Sequence, residues 1–197
     1  MMNEIKKMGN STILLTLTVV VAWIYKLIPG LSALSQATGG NFFGIEIIPL
    51  AMIGFFFGFK YGIIATVLYG YINFAIDGFK VYYVAAVLFD YLLAYIGFSF
   101  GALFKIKSKK QLYNILCFII ILIIGSFVRF LSTTLSGYLF FAEYAPEGMH
   151  PLLYSIVYNS SYISSTLGFS ILLSVGIINP VIRIINQVSP NSLDDNY

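Results

Sequence analysis

Charged side chains are scarce in this chain: Asp, Glu, Lys and Arg make up 10% of its 197 residues, against about 25% in an ordinary soluble domain. With 59% of residues hydrophobic and a mean hydropathy of +0.89, the excess apolar surface requires lipid rather than one enlarged core. Cysteine occurs once, at Cys117 within an apolar run, which excludes disulfides and thiolate metal sites and points to a buried, inert thiol. Histidine also occurs once, at His150 beside Pro151, where capping or surface exposure is expected rather than metal binding. No phosphate-cradling glycine loop, nucleophile elbow or dinucleotide fingerprint is present, so neither catalysis nor a resident cofactor nor a nucleic-acid partner is expected. Six spans of about 20 residues would occupy roughly 120 positions. That leaves no room for a nucleotide-binding domain, and any energy source must come from another chain.

What the sequence does contain is a series of apolar runs, which predicts an all-α integral membrane protein, a six-transmembrane-helix bundle. The first run, 11–27, ends at the helix-stopping pair Pro29-Gly30, and the Ser, Gly, Gln and Thr of 31–41 read as a loop. Two shorter runs, 44–59 and 61–76, carry Gly54, Gly58, Gly62 and Gly70 and read as short, closely packed helices. The remaining spans are read at 81–104, 112–141 and 152–178, the last closed by Pro180. Residues 1–10 form an N-terminal segment with no cleavage site after the apolar run that follows, 11–182 the membrane domain and 183–197 a tail. Lys6, Lys7, Lys60, Lys105, Lys107, Lys109, Lys110 and Arg183 fall on one side, against Lys26 and Lys80 on the other. The positive-inside rule then places both termini in the cytoplasm. No internal repeat or broken-helix pair stands out, which argues against a two-fold secondary transporter.

Asp90 and Arg129 interrupt otherwise uncharged spans, and each costs about 2.5–3.5 kcal/mol at a helix centre. One reading is an ion pair that pins the fourth helix to the fifth. The other gives the pair a ligand, in a pocket reached from outside at a depth of roughly 15–18 Å along each helix. Tyr91, Tyr95, Phe130, Tyr138, Phe140, Phe141, Tyr144, Tyr154, Tyr158 and Asn159 surround those charges in sequence. Ring faces attract a flat heteroaromatic cation, and a carboxylate pairs with an aminopyrimidine edge. Aromatics also form interfacial belts, and the patch Tyr158-Asn159-Ser160-Ser161 is equally suited to hydrogen bonding between helices. Glu46 reads as interfacial and solvated.

At these residues the chain resembles a known family. Leu88-Phe89-Asp90-Tyr91-Leu92-Leu93-Ala94, the stretches Gly125–Phe130 and Leu135–Phe141, Phe141–Gly148, and Tyr154-Ser155-Ile156-Val157-Tyr158-Asn159 are similar to motifs of thiamine-specific substrate-binding (S) components of energy-coupling factor (ECF) vitamin transporters. The likeness covers most of the chain and is strongest from about Val87 to Tyr162. It implies that Asp90 is an acidic ligand contact with Tyr91 beside it, that Arg129 takes the basic position, that Phe141 stacks on the ligand, and that Tyr154 and Asn159 contact it. Thr133 stands where a ligand-contacting His is expected, and Phe130 where a Tyr is expected; Trp23, on the first helix, cannot supply the tryptophan stacking seen in some relatives.

The resemblance further implies a multi-pass subunit of the bacterial plasma membrane that binds thiamine or a related vitamin. Such a subunit works with a transmembrane coupling protein and two ATPase chains and hydrolyses nothing itself. Thr16 and Val20, or alternatively Thr18 and Ala22, would form its docking face on the first helix. The readings outside this resemblance are a structural membrane protein and, third, a self-contained transporter or channel.

Overall fold

The computed structural model describes residues 4–38, 40–79, 83–107 and 110–188, and these are helical without any strand. The helices are α1 (Glu4–Leu27), α2 (Pro29–Thr38), α3 (Ile47–Phe57), α4 (Phe59–Ile76), α5 (Val84–Leu103), α6 (Gln111–Phe140) and α7 (Pro151–Val188). Five of them, α1, α4, α5, α6 and α7, are long and apolar enough to cross a bilayer.

Helix α3 is the exception and the centre. Its eleven residues are apolar on every side and all are buried, as expected of a helix with no polar face. It packs against α1, α4, α5 and α6, and its Phe55 and Phe56 meet Phe98 of α5 and Phe118, Ile121 and Leu122 of α6 in the main core. The opposite face of α6 turns Leu116, Ile120, Ile123, Phe127 and Leu131 outward in steps of three and four. One apolar stripe therefore serves the core and another serves lipid. Gly58 closes α3 and opens α4 at φ +94°, a conformation that glycine adopts without strain.

Several sequence expectations need correction. Residues 29–38 are helical rather than loop: Pro29 stops α1 and then opens α2, because a missing N–H is harmless in the first helical turn. Pro180 does not close the last span, and α7 continues through it to Val188. Proline is tolerated in this setting because neighbouring groups can satisfy the carbonyl it leaves free. Glu46, the residue just before α3, is not solvated but 1% exposed. Thr18 and Ala22 face the core, which removes them as a docking face, whereas Thr16 and Val20 face outward. The N-terminal segment is already helical from Glu4. Lys80, Lys109 and the tail beyond 188 lie outside the described residues.

Candidate functional site

The ends of α1, α4 and α6 and the starts of α5 and α7 meet at one pole of the bundle around a cavity of about 1160 Å³. That is ample for a vitamin-sized molecule, for which pockets of roughly 300–1,000 Å³ are usual. Its wall includes Asp90, Tyr91, Arg129, Thr133, Phe141, Tyr154 and Asn159. Of the eight residues singled out from the sequence, Phe130 alone does not line it.

Asp90 sits in a six-residue π-helical turn, Leu88–Leu93, set inside α5. Because α5 starts at Val84, Asp90 lies only about 9 Å from the helix start at roughly 1.5 Å per residue, nearer the mouth than the sequence suggested. Its carboxylate accepts a hydrogen bond of 2.9 Å from Ser136 Oγ of α6. Among the described residues it forms no direct ion pair with Arg129, so the helix-pinning pair is not built.

Arg129 is 7% exposed and is held by rings instead. Its guanidinium lies 5.0 Å from the Tyr95 ring centroid and 5.6 Å from that of Tyr162. The negative ring faces compensate a cation that lipid or an apolar core would reject. Thr133, one turn further along α6, turns its hydroxyl back onto the Arg129 carbonyl at 3.0 Å, which helps a buried Thr satisfy itself within a helix.

Helix α7 contributes a row of tyrosines at spacing four: Tyr154, Tyr158 and Tyr162, with centroids 5.9 Å and 6.0 Å apart. Asn159 is 3% exposed and bonded to residues of its own helix. It accepts from Tyr162 Oη at 2.8 Å and donates to the Ser155 carbonyl at 2.9 Å. Ser155 Oγ in turn donates to the Thr134 carbonyl of α6 at 2.8 Å, so the polar patch does join helices as well as face the cavity. Phe141 lies beside the mouth with Tyr83 and Tyr144 at 5.8 Å and 6.1 Å. His150, outside the cavity lining, accepts from the Leu152 N–H at the start of α7 and stacks on Tyr138.

Sequence reasoning missed the polar rim. Lys26 Nζ at the end of α1 bonds Asp77 at 2.8 Å and Asn41 at 3.3 Å; Tyr91 Oη donates to Asp77 at 3.0 Å, and Ser35 Oγ to Asn41 at 2.9 Å. Nothing in a sequence pairs a lysine with an aspartate fifty positions away. Tyr162 was missed as well, although its place as the third member of the row at spacing four is a signal that could have found it. Among the described residues no group of His, Cys, Asp and Glu could hold a metal ion.

A bundle of apolar helices closed around a ring-lined polar cavity, with a carboxylate that has no cationic partner among the described residues, defines a multi-pass membrane protein that holds a small molecule. The chain belongs to the thiamine transporter protein family, whose model matches residues 11–186. It is 28% identical over 167 residues to the thiamine transporter ThiT of Bacillus subtilis (strain 168), an alignment covering 82% of this chain and 85% of that one. Its fold is similar to that of ThiT from Listeria monocytogenes, with a TM-score of 0.57 at 20% identity over 90% of this chain and 97% of the other. The family is one of transport proteins, not of enzymes.

Proposed function

We propose that this chain is the substrate-binding component of an ECF-type importer, which captures thiamine outside the cell with high affinity and releases it inside under the power of a coupling protein and two ATPase chains. The observation that carries the reading is the environment of Asp90: a cavity-facing carboxylate bonded by Ser136, not neutralised by Arg129, and opposite the rings of α7. Thiamine combines an aminopyrimidine edge with a cationic ring. The carboxylate suits the first, and the surrounding Tyr and Phe faces suit the second. Tyr91, Arg129, Thr133, Phe141, Tyr154 and Asn159 complete the proposed contacts, while Phe130 stays behind the wall.

We take α3 as the sixth span, completed by the buried chain on either side of it, with both termini cytoplasmic. Lys6, Lys7, Lys60, Lys105, Lys107, Lys110 and Arg183 gather at the pole away from the cavity, which supports an outward-facing mouth. Thr16 and Val20 on the exposed face of α1 are the proposed contact with the coupling protein. The lack of any nucleotide-binding motif in the chain supports ATP hydrolysis by partner chains.

The test is equilibrium binding to the purified chain with thiamine, riboflavin, biotin and hydroxymethylpyrimidine. Saturable binding of thiamine in preference to the other three is expected. Binding of none of them would remove the reading, and preference for another would reassign the ligand. Uptake into liposomes should appear only when the coupling protein and both ATPases are included with ATP.

A further inference from the structure

The π-helical turn that carries Asp90 is gripped from both sides. On α6, Ser132 and Ser136 are one turn apart and therefore on one face. Ser132 Oγ donates to the Phe89 carbonyl at 2.6 Å and Ser136 Oγ to the Asp90 carboxylate at 2.9 Å. On α4, Gly70 lies so close to the Tyr91 carbonyl oxygen that a methyl group at this position would collide with it. A widened turn leaves backbone carbonyls without their regular partners. Here the Phe89 carbonyl meets a buried hydroxyl, and the Tyr91 carbonyl is admitted by the absence of a side chain at Gly70.

The geometry also has a consequence for the cavity wall. Val87, Tyr91 and Tyr95 all line it, at spacing four. Asp90, inside the π turn, lines the same wall between Val87 and Tyr91.

We infer that Ser132 is a positioning residue: by donating to the Phe89 carbonyl opposite Gly70, it holds the π turn in the register that presents the Asp90 carboxylate to an aminopyrimidine ligand. Ser132 does not line the cavity and acts only through the backbone. The inference rests on the thiamine-binding reading above.

Two variants of the full-length purified chain test it, Ser132→Ala, which removes the donor, and Ser132→Thr, which keeps it. Each is titrated with thiamine and with the analogue whose pyrimidine amino group is replaced by a carbonyl oxygen. Ligand-free melting is recorded alongside. Loss of one hydrogen bond to a buried carbonyl predicts about tenfold weaker thiamine binding by Ser132→Ala, with recovery to within roughly threefold of wild type in Ser132→Thr. The preference for thiamine over the oxo analogue should shrink in Ser132→Ala and return in Ser132→Thr, a change that general loosening of the fold would not produce. If the wild type binds thiamine while Ser132→Ala keeps both affinity and preference, or weakens both ligands equally, this inference is overturned and the thiamine reading stands. If the wild type binds neither ligand, the thiamine reading falls and takes the inference with it.

Discussion

Lys26 and Asp77 meet at 2.8 Å across the cavity mouth, joining the end of α1 to the end of α4. Lys26 also reaches Asn41 and Asp77 accepts from Tyr91, so four segments of chain converge on one partly buried ion pair. The pair is the only link among the described residues in which opposite charges face each other at this rim. A double-mutant cycle with Lys26→Met and Asp77→Asn should give a coupling free energy of about 1 kcal/mol, because the pair is partly screened by solvent. Thermal unfolding of the four proteins measures it, and additive effects would show that the rim is not a unit.

The Arg129 guanidinium depends on rings rather than on a carboxylate. Tyr162→Leu removes one of those rings and also the hydroxyl that donates to Asn159, and should destabilise the ligand-free protein by about 1–2 kcal/mol. Tyr158→Leu, on the same row, removes a ring that meets those of Tyr154 and Tyr162, and should cost clearly less. Denaturation monitored by circular dichroism distinguishes the two.

Glycines in this chain do different work, and substitution separates them. Gly58→Ala forces a side chain into a positive-φ turn and should lower stability by about 1 kcal/mol or more. Gly168→Ala, on a helix with open space around the added methyl, should be neutral or slightly stabilising. Melting temperatures of the two variants should therefore move in different directions or by clearly different amounts.

Much of the fold was readable because lipid imposes a simple rule: residues that span must be apolar for about 20 positions. Thus α1, α4, α5, α6 and α7 were located by their runs, and the charged positions Asp90 and Arg129 stood out against them. Helix α2 was missed because its Ser, Gly and Gln content reads as loop and because Pro29, which opens it, was read only as the stop of α1. The burial of Glu46 was missed because a charge just before a helix normally faces water. Its position depends on α3 being enclosed by the helices around it, which no local pattern records. The same reason explains the expected Asp90–Arg129 pair: helix facing determines that Asp90 meets Ser136 and Arg129 meets two tyrosines, and the spacing along one run does not contain it.

The most direct test of the account is isothermal titration of thiamine into the purified wild-type chain and into Asp90→Asn, with Lys60→Gln, far from the cavity, as control. One thiamine per chain is predicted for the wild type and for Lys60→Gln. Asp90→Asn should bind at least about thirtyfold more weakly, as expected when a charge-assisted contact of roughly 2 kcal/mol is lost. Equal affinity of Asp90→Asn and wild type would contradict the account, since it would show that the cavity carboxylate plays no part in holding the ligand.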